Sequence, residues 1–236
     1  MKRVVLAFLL GATISLSVSA ATFSVFDDFS TSTNTATNRW SYWSTTNTSV
    51  TPYASNIALI GSYIAACGAG SSDCWNGPSN NLIYRNGNAT PDNFGGLSEN
   101  AAGTVAFYSR LGITNIRFLA PTTGAYDISG FFDGDSISPI SSTRALIVVN
   151  GDVSTALYDV TAVRAFNANE PFNFVRSLTA GDTVDFLVAV GSGIPSNSGS
   201  LGFNVTISDG AAETPEPAGF VLLGGGLALA ALRRRR

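Results

Sequence analysis

Along the central body of this chain, short apolar positions alternate with Ser, Thr, Asn and Gly, and no stretch sustains a period of 3.6 residues. A period of two marks strands with one dry face. The clearest case is Leu201 to Ser208, where Leu201, Phe203, Val205 and Ile207 alternate with Gly202, Asn204, Thr206 and Ser208. Thr183 to Val190 repeats the pattern with Val184, Phe186, Val188 and Val190 on the apolar side, opened by a turn at Ala180-Gly181-Asp182. These two segments are predicted to pair with each other through the loop from Gly191 to Ser200. Further strands are predicted at Asn115 to Leu119, Tyr126 to Phe132, Arg144 to Val149, Ala156 to Val160 and Phe172 to Leu178, with a tight turn at Asn150-Gly151. Shorter ones are predicted at Ser24 to Phe29, Trp40 to Trp43, Leu82 to Arg85 and Thr104 to Tyr108, joined by long polar connections. Many short strands with turns every 8 to 12 residues or so predict one all-β domain of two packed sheets, a β-sandwich or jelly roll.

The two ends break this pattern. Lys2 and Arg3 precede an apolar run from Val4 to Leu16 and the small residues Ser17, Val18, Ser19 and Ala20. That is the build of a secretory signal peptide over residues 1–20, cut after Ala20 or else Ala21. At the other end, Ala218 to Leu232 holds 15 residues without a charge and stops at Arg233, Arg234, Arg235 and Arg236. A helix there covers about 22 Å of a hydrocarbon core about 30 Å thick, a marginal transmembrane span suited to a transient anchor. The arginines stay cytoplasmic by the positive-inside rule, which leaves the body on the far side of the inner membrane. Pro215 and Pro217 hold the junction extended with Glu216 exposed between them, the form a protease needs.

Between the ends, residues 22–212 suffice for one domain with its own core. Without Lys2, Arg3 and the four terminal arginines, the body keeps seven arginines against 14 acids, a net charge near −7. An acidic body without a lysine is not built to bind nucleic acid through phosphate neutralisation, so nucleic acid is not an expected partner. The chain has no histidine, and its single lysine leaves with the signal peptide. A Ser-His-Asp triad, a histidine-bound zinc, a P-loop and a lysine Schiff base are therefore excluded.

Enzyme chemistry is left with a glycosidase-type carboxylate pair. The acids available, Glu99, Asp133, Asp135, Asp182 and Asp185, mostly lie beside glycine and read as solvated turn residues, so no catalytic residue is assigned and no enzyme is expected. Asp133-Gly134-Asp135, with Asp127 a strand length earlier, also offers oxygen ligands for calcium, though without a ligand loop of defined spacing. Cys67 and Cys74, with six residues between them, are expected to form a disulfide in an oxidising compartment, stapling a surface loop by about 2 to 3 kcal/mol. Trp40, Tyr42, Trp43 and Trp75 are the candidate carbohydrate contacts, because aromatic faces stack on sugar rings. Alternation puts Trp40 and Tyr42 on one face and Trp43 on the other, so one of those faces packs in the core. Trp75, beside the disulfide loop, is the one of the four most expected to stand free for a glycan.

The C-terminal end, Pro215-Glu216-Pro217 followed by an apolar segment and an arginine cluster, resembles the PEP-CTERM sorting signal over about the last 23 residues, 214–236. The resemblance implies recognition by exosortase, an inner-membrane cysteine protease that cuts near the motif, in a Gram-negative-type bacterium that makes exopolysaccharide. The body resembles exported bacterial β-sandwich proteins that carry the same tag. The matching pieces are Asp28-Phe29-Ser30 with Trp40-Ser41-Tyr42, Phe118-Leu119-Ala120-Pro121 with Gly124-Ala125-Tyr126, Val149-Asn150-Gly151, and Ala180-Gly181-Asp182 with Val184-Asp185-Phe186. It departs at Asn197 to Ser200, where those relatives carry an aspartate. The function expected from all this is a structural or adhesive protein of the cell surface or of an exopolysaccharide matrix or biofilm. A carbohydrate-binding module is the alternative, and a glycoside hydrolase comes third.

Overall fold

A strand with one dry face is stable only against another dry face, so a chain of such strands closes into two layers. The computed structural model describes residues 20–47, 57–67, 72–94, 98–135, 142–163, 168–190 and 199–210. The predicted signal peptide up to Ser19 and the C-terminal tag lie outside the described residues. Ala21–Gly210 forms one compact unit.

In chain order the strands are β1 (Thr22–Ser24), β2 (Trp40–Thr45), β3 (Ala58–Leu59), β4 (Ser62–Cys67), β5 (Ser72–Asn76), β6 (Leu82–Arg85), β7 (Asp92–Phe94) and β8 (Ser98–Asn100). There follow β9 (Val105–Ser109), β10 (Ile113–Leu119), β11 (Gly124–Asp133), β12 (Ser142–Val149), β13 (Tyr158–Val163), β14 (Asn169–Leu178), β15 (Thr183–Val190) and β16 (Gly199–Asp209). The first sheet runs β14-β11-β16-β9-β6-β5-β4, with β1 sharing one side of β16 with β9. The second runs β13-β12-β15-β10-β2-β3, and β7 and β8 make a small hairpin of their own. Among the described residues no helix is long and apolar enough to cross a membrane.

The inner faces interdigitate around an aromatic core. Leu201, Phe203, Val205 and Ile207 of β16 and Val184, Phe186 and Val188 of β15 are all buried in it, the faces that alternation predicts. Their partnership differs from the expectation. The two strands do not pair: β15 bonds to β10 and β12 in one sheet, β16 to β11 and β9 in the other. They meet face to face across the core, with the Phe186 and Phe203 rings 5.1 Å apart. Two dry faces are satisfied equally by lying side by side or by facing each other, and periodicity does not distinguish these.

One local expectation also changes, and another holds. Of the segment predicted as Ser24 to Phe29 only Ser24 is strand, as the end of β1, because the Asp28 carboxylate accepts from the Ser24 N–H and the Asp28 N–H donates to the Ser24 carbonyl, closing a turn. Asn150 and Gly151 both take left-handed φ values, 53° and 72°, as the predicted tight turn requires. The Asn150 side chain then ties to the Asp182 carboxylate and the Thr183 N–H, clamping the turn after β12 to the one before β15.

Candidate functional site

The described aromatic candidates separate by face. Trp40, Tyr42 and Trp75 are buried in the core cluster, Trp75 with 3 % of its surface exposed. Trp75 lies on the Tyr42 ring at 5.7 Å, and its indole N–H donates to the Ser30 carbonyl at 2.8 Å. Trp40 packs on Phe118 at 5.1 Å. Burial holds the Tyr42 hydroxyl well above the usual phenol range, and that oxygen accepts from the Ser30 N–H. The expectation that Trp75 stands free for a glycan is therefore corrected. β5 sits in the first sheet with Trp75 turned between the layers, where about 200 Å² of ring surface leaves water. Trp40 and Tyr42 are withdrawn from solvent with it.

Trp43 alone of the four faces outward, on the second sheet. Its indole N–H donates to Ser41 Oγ at 2.8 Å, and the Arg117 guanidinium lies 4.7 Å from its ring centroid. Arg117 in turn donates through Nε to Asp185 at 2.7 Å, and Asn115 Nδ2 donates to the same carboxylate at 2.9 Å. Register brings these together: Arg117 stands opposite both Ser41 and Asp185, and Asn115 opposite Trp43. Asp185, expected as a solvated turn residue, is fully buried in mid-strand and ion-paired. Beside this cluster the same outer face turns apolar, with Ile113, Leu146, Val148, Leu187 and Ala189 buried under Ile57, Val153 and Ala156.

The cysteines join as expected, but their setting is a hairpin and not a free loop. They lie on the paired strands β4 and β5 with 6.1 Å between their Cα atoms, and Cys74 is buried against Tyr84 and Ala106. Tyr63 of the same hairpin and Arg85 of the neighbouring β6 both donate to Asp73, each at 2.5 Å.

Asp133 and Asp135 also depart from expectation. Neither is solvated: 5 % and 1 % of their surfaces are exposed. Asp133 ends β11 on the outer face of the first sheet, opposite Gly202 of β16. Its Oδ1 has no hydrogen-bond partner, while Ser200 donates to Asp135. Burial pushes the Asp133 carboxyl up to about 6, against a smaller opposing pull from the Gly134 N–H. Asn100 and Thr104, both buried, stand nearby, with Thr104 Oγ1 donating to Asn100 Oδ1 at 2.7 Å. The sequence assigns no site role to Asn100, Asn204 or Gly202. The signal that bears on the last two is parity, since the alternation from Leu201 to Ser208 puts Gly202 and Asn204 on the outer face, as the step of two from Asp127 through Ser129 does for Asp133.

No protein-family model matches the sequence, and neither does any curated protein. Among solved structures, the chain is similar to a family 35 carbohydrate binding module from Clostridium thermocellum, at 18 % identity over 56 % of this chain and 94 % of that one, TM-score 0.32. It is similar to the CBM36-1 domain of a multidomain xylanase from the hindgut metagenome of Trinervitermes trinervoides, at 13 % identity over 55 % and 97 %, TM-score 0.33. A third likeness is to the CBM51-2 and INT domains of Clostridium perfringens ZmpB, at 12 % identity over 65 % of this chain and 30 % of that one, TM-score 0.36. What the chain itself shows is all-β architecture in two sheets, and overlaps of this size carry no ligand or activity across to it.

Proposed function

We propose that this chain is an exported, non-catalytic protein of the bacterial cell surface or exopolysaccharide matrix, with a structural or adhesive role. It is held transiently in the inner membrane by its apolar C-terminal segment and sorted by an exosortase-type protease. One observation carries the reading: three unlike elements, Pro215-Glu216-Pro217, the uncharged Ala218 to Leu232 and the arginines 233–236, stand in the required order at the C-terminal end. A body with an aromatic core between two sheets and a hairpin stapled by a disulfide suits a passive life in an oxidising exterior. Mass spectrometry of the protein recovered outside the cell tests this. The expected mature chain begins at Ala21 or Thr22 and ends near the Pro-Glu-Pro motif, and an intact arginine tail on secreted protein would refute the sorting.

A second reading, carbohydrate binding, is favoured by one surface feature. Trp43 is turned outward among Ser41, Asn115, Arg117 and Asp185, a partly exposed ring with polar neighbours. Glycan-array binding that is lost in Trp43→Ala and kept in an exposed-strand control such as Val175→Ala would establish it. Binding indifferent to Trp43 would remove it.

A further inference from the structure

On the outer face of the first sheet, three adjacent strands lay out a small grid. Register sets Asp133 of β11 opposite Gly202 of β16, and Gly202 opposite Ala106 of β9. One pleat along β16 in either direction are Asn204 and Ser200, which share the face of Gly202 by the period of two. Glycine and alanine hold the middle of this grid, with oxygen-bearing side chains on the β11 side of it and along β16, and the apolar cluster of Cys74, Leu82 and Ala106 on the β9 side. A Cβ built on Gly202 would lie 3.3 Å from Asp133 Cβ and 3.6 Å from Asn100 Oδ1, so the missing side chain is where these residues converge. Ser200 donates to Asp135 at the margin.

Two acceptors in this arrangement have nothing to accept from. Asp133 Oδ1 and Asn204 Oδ1 are buried and without a hydrogen-bond partner. Asp133 belongs to none of the three ion pairs among the described residues, whose arginines, Arg85, Arg117 and Arg144, serve Asp73, Asp185 and Asp159. Orphaned buried oxygens cost about 1–3 kcal/mol each, more where charged, and a native fold does not retain them without a return. Here the orphans belong to different chemical types, a carboxylate and an amide carbonyl. A bound cation is one partner that satisfies both at once, and it alone also offsets the carboxylate charge.

We propose that Asp133, Asn204 and Asn100, with Asp135 alongside, form a calcium site on the outer face of the first sheet. The donors are all hard oxygens, with no nitrogen or sulfur ligand, and they mix carboxylate with amide carbonyl, as calcium coordination does. Among the described residues no three of His, Cys, Asp and Glu gather as a metal site, so the amides of Asn204 and Asn100 are integral to the set. Asp133, Asn204 and Asn100 come from three strands, β11, β16 and β8, so a bound ion cross-links the first sheet to the β7–β8 hairpin. The site is independent of how the chain is sorted.

The test uses the purified full chain, stripped with chelator and then given calcium chloride at about 5 mM, above the dissociation constants of roughly 0.1–1 mM common in extracellular modules. Calcium is expected to raise Tm by about 3 to 6 °C, magnesium by clearly less, with full reversal by EGTA. Asp133→Asn, which removes the charge, and Gly202→Val, which fills the centre, should each abolish the rise. Asp159→Asn should leave it intact. Equilibrium dialysis should find one calcium per wild-type chain, a reading that stands even if either variant folds poorly. No bound calcium and no Tm response in the wild type would overturn the proposal, as would a response that survives undiminished in both site variants. A Tm that rises on acidification to pH 5 but ignores calcium would also overturn it, the orphaned carboxylate then being relieved by a proton.

Discussion

Asp185 and Asp133 are carboxylates on the outer faces of the two sheets, buried to nearly the same degree and provided for in opposite ways. Asp185 receives Arg117 at 2.7 Å and Asn115 at 2.9 Å, so the charge that β15 buries is met by two donors from β10. No arginine pairs with Asp133 among the described residues, the Gly134 N–H gives it only a minor pull, and one of its own oxygens is unpartnered, with Asn100 close by over Gly202. Moving a carboxylate out of water costs several kcal/mol unless it is paired and hydrogen-bonded. The second sheet meets that cost within the chain. The first sheet leaves it to something taken from solution.

The sharpest way to probe this contrast is to add a third buried carboxylate where neither solution exists. Phe203 stands at the centre of the core, 5.1 Å from both Phe132 and Phe186. Phe203→Asp should cost several kcal/mol in urea unfolding, enough to abolish the fold of many domains of this size, whereas Thr206→Asp on the exposed side of the same strand should stay within about 0.5 kcal/mol. Equal costs would mean that the face assignment of β16 is wrong.

Next in size is Arg117→Met, which strands Asp185. The expected loss is about 3 kcal/mol, the low end for breaking a buried pair because Arg117 keeps 18 % exposure. Adding Asp185→Leu should restore most of it, and a double-mutant cycle reads the coupling directly. A loss below about 1 kcal/mol would show that Arg117 is not what supports the buried charge.

Asp133→Asn should act with the opposite sign when chelator keeps calcium away. The folded carboxyl sits at about 6, above its ordinary 3.8, so between pH 4 and 6 the folded chain holds a proton that the unfolded chain has released. Stability therefore falls as pH rises through that window, by up to about 3 kcal/mol at pH 7. The asparagine variant should gain up to this amount at pH 7 and nothing near pH 4. A variant less stable than wild type at pH 7 in chelator would show that the ionised group is satisfied after all.

The smallest effect belongs to the exposed pair of Arg144 and Asp159, whose side chains retain 36 % and 43 % exposure. Arg144→Ala should cost about 0.5 kcal/mol or less, fading in 0.5 M salt or so. The arginine holds the Asp159 carboxyl below its usual range, so this small contribution is present at neutral pH and lost as acid titrates the carboxylate. A loss above about 1 kcal/mol would place the pair among the buried ones.

Much of the architecture was legible in advance. Leu82 to Arg85 is the observed β6 to the residue, and the inward faces of β15 and β16 are the alternating apolar sets. The strands missed, β3, β4, β5, β7 and β8, are two to six residues long and rich in Ser, Asn, Asp and Cys, with no apolar alternation to reveal them. Trp75 was misplaced for that reason: without β5, a tryptophan beside a cysteine loop looks exposed. For Asp133 and Asp135 the shared neighbour misleads, since glycine next to aspartate suggests a turn, whereas Gly134 here lies among buried residues.

By itself, the sequence determined the class and the faces: an all-β body with its dry sides assigned, an acidic charge, no histidine and no lysine beyond Lys2, and a disulfide pair. Those properties are local or compositional, fixed by a period of two and by which atoms the chain contains. Tertiary structure decided which strand lies beside which. Whether β15 and β16 pair or face each other, whether Asp185 finds an arginine 68 residues away, and whether Asp133 meets Asn100 over Gly202 depend on register between distant segments. Register is set by the summed packing of both sheets, and no single segment carries that sum.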